Sequence, residues 1–163
     1  MKIAVDAMGA DFAPDEIVLG AIAAAREYRC DIIIVGDEPR IRQILEKNGA
    51  GNLPITVQHA SEVIEMTEQP SIAIRKKKDA SIVVATRLVK EGKADVVVSA
   101  GSTGAAVAAA LLGLGRIPGI ERPTIATPMP NLTGTTVLLD SGANVDSKPK
   151  HLLQNAVDRK SVV

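Results

Sequence analysis

The chain is almost without aromatic side chains: Phe12 and Tyr28 stand alone among 163 residues, and tryptophan is absent. Recognition of nucleic acid by base stacking on aromatic platforms is therefore excluded, and any core must be built from Ala, Val, Ile and Leu. Cys30 is the single cysteine, which rules out an internal disulfide and any multi-cysteine metal site; its place suits a small hydrophobe at a helix end. With His59 and His151 the only histidines, a classical zinc site is not expected either, and the reading includes no metal and no cofactor. Charge of one sign is missing as well. Lys plus Arg and Asp plus Glu balance at 19 each, so no global field points to nucleic acid or to an anionic membrane.

One long uncharged run is present, from Val96 to Gly115 between Asp95 and Arg116. Its length would suffice for a membrane span. Its content does not, because β-branched Val96–Val98 cannot share one helix with the Gly, Ser and Ala residues that follow. Val96 to Val98 read instead as a fully buried strand, Gly101-Ser102-Thr103-Gly104 as a turn, and Ala105 to Leu114 as a small-residue helix. A strand turning over glycines into a helix leaves backbone N–H groups open at the positive end of the helix dipole. Such a turn suits phosphate or a developing oxyanion; the same glycines would also serve simple close packing of helix on strand. The N-terminus passes straight into a short apolar run and meets Asp6, so it is no signal peptide, and a soluble, cytoplasmic protein is expected.

Along the chain, short apolar runs alternate with helical patterns. The expected strands are Ile3–Asp6, Ile32–Val35, Ile55–His59, Val96–Ser99, Thr124–Thr127 and Thr136–Asp140. A continuous run such as Ile32-Ile33-Ile34-Val35 suits a strand covered on both faces, so a largely parallel sheet is expected. Pro14 opens a helix carrying Ile17, Val18, Ala21, Ile22 and Ala25 on one face. Asp37 can cap the next, which buries Ile41, Ile44 and Leu45 and ends at Gly49; another runs from about Ser81 to Glu91 and closes at Gly92. The alternation predicts a three-layer α/β/α domain with no repeat and no linker.

In such sheets ligands bind beyond the carboxyl ends of the strands. Five expected strands end in polar or glycine-rich chemistry: Asp6-Ala7-Met8-Gly9-Ala10-Asp11, Gly36-Asp37, His59-Ala60-Ser61-Glu62, Ser99 to Gly104, and Asp140-Ser141-Gly142-Ala143-Asn144-Val145-Asp146. Together they predict a polar crevice along one sheet edge. Asp6 and Asp11 suit orientation of a cation, acid–base work or, for Asp11, capping of the Pro14 helix. Asp140 and Asp146 face the same choice, and Asn144 is a natural turn residue. His59 suits protonation of a leaving group or a hydrogen-bonded turn, and His151 is expected at the surface. Arg75-Lys76-Lys77-Lys78, the one dense basic cluster, reads either as a solvated helix face or as contacts to an anion or an acidic partner. No Ser-His-Asp order or nucleophile elbow appears.

DAMGAD at the start, HASEVIEM at 59–66, RKKKDAS at 75–81, SAGSTGA at 99–105 and GANVDSKP at 142–149 together resemble the bacterial phosphate acyltransferase family of fatty acid and phospholipid synthesis. The resemblance runs in order from residue 1 to about 157. It implies a fold like that of the isocitrate/isopropylmalate dehydrogenases and the phosphotransacetylases. It implies conversion of acyl–acyl-carrier-protein and inorganic phosphate into acyl phosphate and free carrier protein, by direct attack of phosphate on the thioester. On the matching positions it implies catalytic roles for Asp6, Arg75, Lys77, Ser102 and Asn144. Phosphate or oxyanion contacts are implied for Gly9, Asp11, Ser81, Ser99, Gly101, Thr103, Gly104, Asp140 and Asp146. For the full-length family it further implies a homodimer and peripheral membrane association.

Departures from the family pattern are Ala10 for a second glycine, Thr67 for an acid, Ala80 for serine, Ser102 for asparagine and Ser147 for cysteine. Ala10 would be strained if that position needs positive φ. Family members continue for roughly as much again, so residues 1–157 are expected to be the N-terminal part of the domain and 158–163 an atypical, truncated end. Two other readings stay open: a short-chain phosphotransacetylase-like enzyme, and an inactive fragment that binds phosphate or partners. A nicotinamide-dependent dehydrogenase is disfavoured, since no GxGxxG turn follows the first strand.

Overall fold

The computed structural model describes residues 1–141 and 146–158, Asp158 in its backbone alone. It divides into two compact units, Met1–Leu114 and Gly115–Val163. The first contains β1 (Lys2–Asp6), α1 (Asp15–Tyr28), β2 (Asp31–Gly36), α2 (Glu38–Lys47), β3 (Ile55–His59), α3 (Pro70–Lys76), α4 (Ser81–Lys90), β4 (Val96–Ser99) and α5 (Thr103–Gly113). The second contains β5 (Ala126–Asn131), β6 (Gly134–Leu139) and α6 (Pro149–Asp158).

The sheet of the first unit is wholly parallel, in the order β3-β2-β1-β4. Its register sets Ile3 beside Ile32 and Val96, and Asp6 beside Val35 and Ser99. Alternate side chains along each strand therefore feed two cores. On one face Val5, Ile32 and Ile34 pack with Val18, Ala21, Ile22 and Ala25 of α1 and Ile41 of α2. On the other, Ala4 and Val35 meet Val84, Ala85 and Leu88 of α4, with Ile33 and Val97 beside them. The result is the expected three-layer α/β arrangement with helices on both faces. A third cluster joins Ala73 and Ile74 of α3, Ile82 of α4, and Ala105 and Ala109 of α5. Alanine spaced by four residues gives α5 a flat stripe that lets α3 and α4 lie close.

Helix ends follow their sequence signals. The Asp37 carboxylate accepts the Arg40 N–H at 3.3 Å and caps α2. Gly92 takes the left-handed φ of +68° that stops α4. Pro14 occupies the cap position of α1, one residue before the helix proper, without a side-chain cap bond. Both aromatic residues lie at the surface, Phe12 at 76% and Tyr28 at 70% exposure, so the core is aliphatic as composition demanded. No helix among the described residues is long and apolar enough to cross a membrane.

Four expectations need correction. Val96 and Val98 are not buried but 41% and 49% exposed, because β4 is an edge strand and α4 covers it only on the Val97 side. The fifth and sixth strands do not join the parallel sheet. They pair antiparallel with each other, Ala126 opposite Leu139 and Asn131 opposite Gly134, around a two-residue Leu132-Thr133 turn. Residues 70–76 form a helix that the sequence reading did not separate from its surroundings. Finally, His151 is only 5% exposed. Its Nδ1 accepts the Lys148 N–H at 3.1 Å, and burial, the largest influence, together with the charge of Arg122 lowers its pKa.

Gly20 lies exposed in the middle of α1, and a Cβ added there would meet nothing within 4 Å. Gly20→Ala should therefore stabilise the chain by about 0.5–1 kcal/mol through helix propensity and reduced unfolded-state freedom. Thermal or urea unfolding measures this, and a loss of stability would contradict the packing described for α1.

Candidate functional site

Because all four strands of the first unit run parallel, their carboxyl ends share one edge, and four of the five polar strand ends named above lie there. The fifth, after β6, belongs to the second unit. Asp6, at the end of β1, is 3% exposed. Its Oδ2 accepts the Ser99 hydroxyl of β4 at 2.8 Å, and its Oδ1 accepts the Met8 N–H at 3.2 Å. Ser99 Oγ in turn accepts the Gly101 N–H at 3.2 Å. A relay thus runs from the β1 carboxylate through the β4 hydroxyl into the glycine turn.

The two loops meet backbone to backbone. A Cβ on Gly101 would stand 2.7 Å from the Gly9 carbonyl oxygen, and one on Gly9 would stand 3.0 Å from Asp6 Oδ2. Glycine is required at position 101 by proximity, not by φ, and a side chain at position 9 would press tightly on Asp6. Ala10, by contrast, is not among the residues with positive φ, so its replacement of glycine introduces no strain. Ser102 Oγ accepts the Ala105 N–H at 3.3 Å and caps α5. The N–H groups of Ser102, Thr103 and Gly104 have no acceptor among the described residues.

A second helix start faces the same place. Ser81 opens α4, and its N–H reaches the Glu62 carbonyl at 3.1 Å. The preceding Ala80 offers no side-chain cap, which leaves the N–H groups of Ile82 and Val83 without an acceptor among the described residues. Ser81 is 2% exposed, and its hydroxyl makes no hydrogen bond among the described residues. A narrow crevice between the two helix starts is lined by Asp6, Gly9, Ile64, Ser81, Ile82, Ser99, Ser102 and Ala105, with room at its floor for about one water molecule. It gathers hydroxyls, open N–H groups and two helix dipoles, and its lining holds no cation. The chemistry of such a set is reception of a compact anion at the mouth.

The segment that carries α4 is laced to the strand end after β3. Glu62 pairs with Ala80 in an isolated parallel bridge. Asp79 accepts the Ser61 hydroxyl at 2.6 Å and the Ser61 N–H at 2.8 Å, and these bonds hold its carboxyl below the usual range. Lys77 Nζ donates to Glu68 at 2.6 Å and to the Val63 carbonyl at 2.7 Å. That bond from Lys77, foremost, lowers the Glu68 pKa.

Of the residues singled out from sequence, Asp6, Gly9, Ser81, Ser99 and Ser102 line the crevice, and Gly101, Thr103 and Gly104 form the adjoining turn. Lys77 is committed to its ion pair with Glu68, and Arg75 lies exposed on α3. Neither lines the crevice. Since α3 stops at Lys76, Arg75 and Lys78 do not share a helix face. Asp11 is exposed and does not cap α1. His59 Nδ1 accepts the Glu38 N–H at 3.4 Å, a turn contact at the start of α2. Asp140 and Asp146 belong to the second unit, where Asp140 accepts the Ile125 N–H at 3.4 Å. Asn144 lies outside the described residues. The Ser61–Asp79 clamp and the open start of α4 were missed from sequence, although Asp79 two residues before Ser81 was a signal within reach.

The family described as "fatty acid synthesis protein" matches residues 1–160. The phosphate acyltransferase of Pelotomaculum thermopropionicum is 62% identical over 157 residues, covering 96% of this chain and 46% of that protein. The phosphate acyltransferase of Desulfitobacterium hafniense is 57% identical over 159 residues, covering 96% and 47%. The chain thus spans about half the length of the curated relatives it matches. Among solved structures, a phosphotransacetylase from Streptococcus pyogenes superposes with a TM-score of 0.72 at 25% identity, over 96% of this chain and 51% of that one. The EutD phosphotransacetylase of Staphylococcus aureus, at 0.69 and 23%, shares the fold.

Both clamp carboxylates have lowered folded pKa values, so their contribution to stability is complete above the unfolded carboxylate range of about 4 and fades as pH falls through the lowered folded values. Asp79→Asn should melt earlier than wild type at neutral pH and show a flatter decline below about pH 4. Calorimetry across the acid range checks this, and parallel profiles for the two proteins would contradict the clamp.

Proposed function

The chain belongs to the fatty acid synthesis protein family, and on that footing we propose that it builds the phosphate-receiving wall of a phosphate acyltransferase. The reaction takes an acyl thioester on acyl carrier protein and inorganic phosphate. A phosphate oxygen attacks the thioester carbonyl carbon, the carbon–sulfur bond breaks, and acyl phosphate leaves. The proton of the hydrogen phosphate passes to the departing thiolate, which becomes the free carrier-protein thiol.

One observation carries the reading: the starts of α4 and α5 converge on a crevice lined by a serine hydroxyl that makes no hydrogen bond among the described residues. Fixed N–H donors and hydroxyls of this kind hold a dianion and then the oxyanion of the tetrahedral intermediate without reorganising. Ser81, with the N–H groups of Ile82 and Val83, suits one side of the phosphate. Thr103, Gly104 and Ser102 suit the other, at the mouth of the crevice. Asp6 acts through Ser99, since its oxygens are already engaged by Ser99 and Met8. It is a positioning residue in this scheme, and Gly9 keeps the two loops close enough for the relay. The proposal extends to Asp11, Arg75, Lys77, Asp140, Asn144 and Asp146 only as groups of the complete family site. A cytoplasmic location and a homodimer belong to the same proposal.

The chain's half-length match favours a second reading, in which it binds phosphate without turnover. Purified chain with acyl carrier protein and phosphate separates the two. Phosphate-dependent release of free carrier protein supports the transferase; phosphate-dependent thermal stabilisation without release supports the binding fragment; neither effect sinks both. At saturating phosphate, about a hundredfold above Kd, stabilisation should reach roughly 2.7 kcal/mol. Ser81→Ala should weaken phosphate binding by about 10- to 100-fold, the worth of one hydrogen bond to a charged group. Its effect on the unliganded protein should be small, because the hydroxyl has no partner to lose.

A further inference from the structure

The cations of residues 75–78 serve neither the crevice nor, with one exception, the fold. Lys77 is neutralised by Glu68. Arg75, Lys76 and Lys78 are exposed and have no hydrogen-bond or ion-pair partner among the described residues. The neighbouring acids make their hydrogen bonds elsewhere. Glu62 accepts the Asp79 N–H at 2.9 Å, Asp79 accepts both Ser61 donors, and Glu68 holds Lys77. In the span from Ser61 to Ala80 only the Glu65 carboxylate is left uncommitted. Residues 70–80 themselves carry four cations, Arg75, Lys76, Lys77 and Lys78, against the one acid Asp79, a local surplus of positive charge on α3 and the turn after it.

Apolar side chains accompany that surplus. Ile72, three and four residues before Arg75 and Lys76, is 46% exposed, and Met66, in the turn leading into α3, is 51% exposed. Exposed apolar groups bordered by unpaired cations are the makings of a protein interface with an acidic partner. The patch also lies beside the crevice. A Cβ on Gly104, in the first turn of α5, would stand 2.9 Å from Pro70 Cγ at the start of α3.

We infer that Arg75, Lys76 and Lys78, with Ile72 and Met66, form the docking surface for an acidic carrier-type protein that presents its acyl thioester at the mouth of the crevice. The inference rests on the acyl-transfer reading. Docking on α3 brings the thioester to the Gly101–Gly104 turn, and Arg75, Lys76 and Lys78, which have no partners of their own among the described residues, are free to meet it. An anionic membrane would meet the same charge. The patch, however, lies on a seven-residue helix flanked by turns, with no second anchoring signal beside it.

The test titrates labelled acyl carrier protein into the full chain and follows fluorescence anisotropy. Lys76→Glu/Lys78→Glu should bind at least about tenfold more weakly than wild type at ~0.01 M salt, and the gap should close near ~1 M, where the screening length falls to about 3 Å. Phosphate-induced thermal stabilisation should be unchanged in this variant, which shows that the crevice is intact. The control Lys47→Glu/Lys90→Glu reverses two exposed cations on α2 and α4 and should bind like wild type. Equal weakening by the control would reduce the effect to net charge and overturn the inference. Unchanged binding by the patch variant would overturn it too, as would reversal that abolishes binding to anionic phosphatidylglycerol vesicles alone. If wild type binds no carrier protein while phosphate still stabilises it, the docking surface fails and the anion site stands.

Discussion

The hydrogen bond from Ser99 to Asp6 is the contact on which the site depends. The two residues are register partners on adjacent parallel strands, so their side chains point the same way from the sheet, and the 2.8 Å bond closes between them. Burying a carboxylate is costly unless donors surround it. Here the Met8 N–H and the Ser99 hydroxyl supply two charge-assisted bonds, and the Ser99 oxygen remains free to hold the Gly101 N–H. One buried charge thereby fixes both the loop after β1 and the turn before α5. Gly9 and Gly101 permit the approach this demands, since a Cβ on Gly101 would strike the Gly9 carbonyl oxygen and one on Gly9 would crowd the carboxylate.

The division of labour around that contact is physical. The crevice contains donors and helix dipoles but no cation; the cations lie outside it on α3, where they remain exposed. A site that holds an anion by oriented N–H groups and hydroxyls is preorganised, whereas exposed lysines act at longer range and respond to salt. The two sets suit different partners, a small dianion and a protein surface. The Ser61–Asp79 and Lys77–Glu68 bonds anchor the turn that joins α3 to the start of α4.

Much of this was legible in the residues. Apolar runs such as Ile32 to Val35 announced a parallel sheet with helices on both faces, and the caps at Asp37 and Gly92 marked helix ends by local chemistry alone. The glycine turn at 101–104 was legible for the same reason: its signal lies within a few residues. What failed depended on contacts remote in sequence. Val96 and Val98 are apolar enough for a core, yet their burial depends on what covers an edge strand. Thr124–Thr127 and Thr136–Asp140 read as strands but could not show that they would pair with each other. His151 is buried through its turn with Lys148, and Lys77 was distinguished from Arg75 by Glu68 alone. Ser81 was named through family resemblance; that its hydroxyl lines the crevice without a hydrogen-bond partner among the described residues emerged only from the fold.

The central claim is that phosphate binds between the starts of α4 and α5 on backbone N–H groups. Titration of inorganic phosphate into ¹⁵N-labelled chain, followed by amide chemical shifts, tests it most directly. Saturable shifts concentrated at Ile82, Val83, Ser102, Thr103 and Gly104, and lost when Asp6→Asn loosens the relay, are the predicted result. Shifts confined to Arg75–Lys78, or no saturable shift at all, would contradict it.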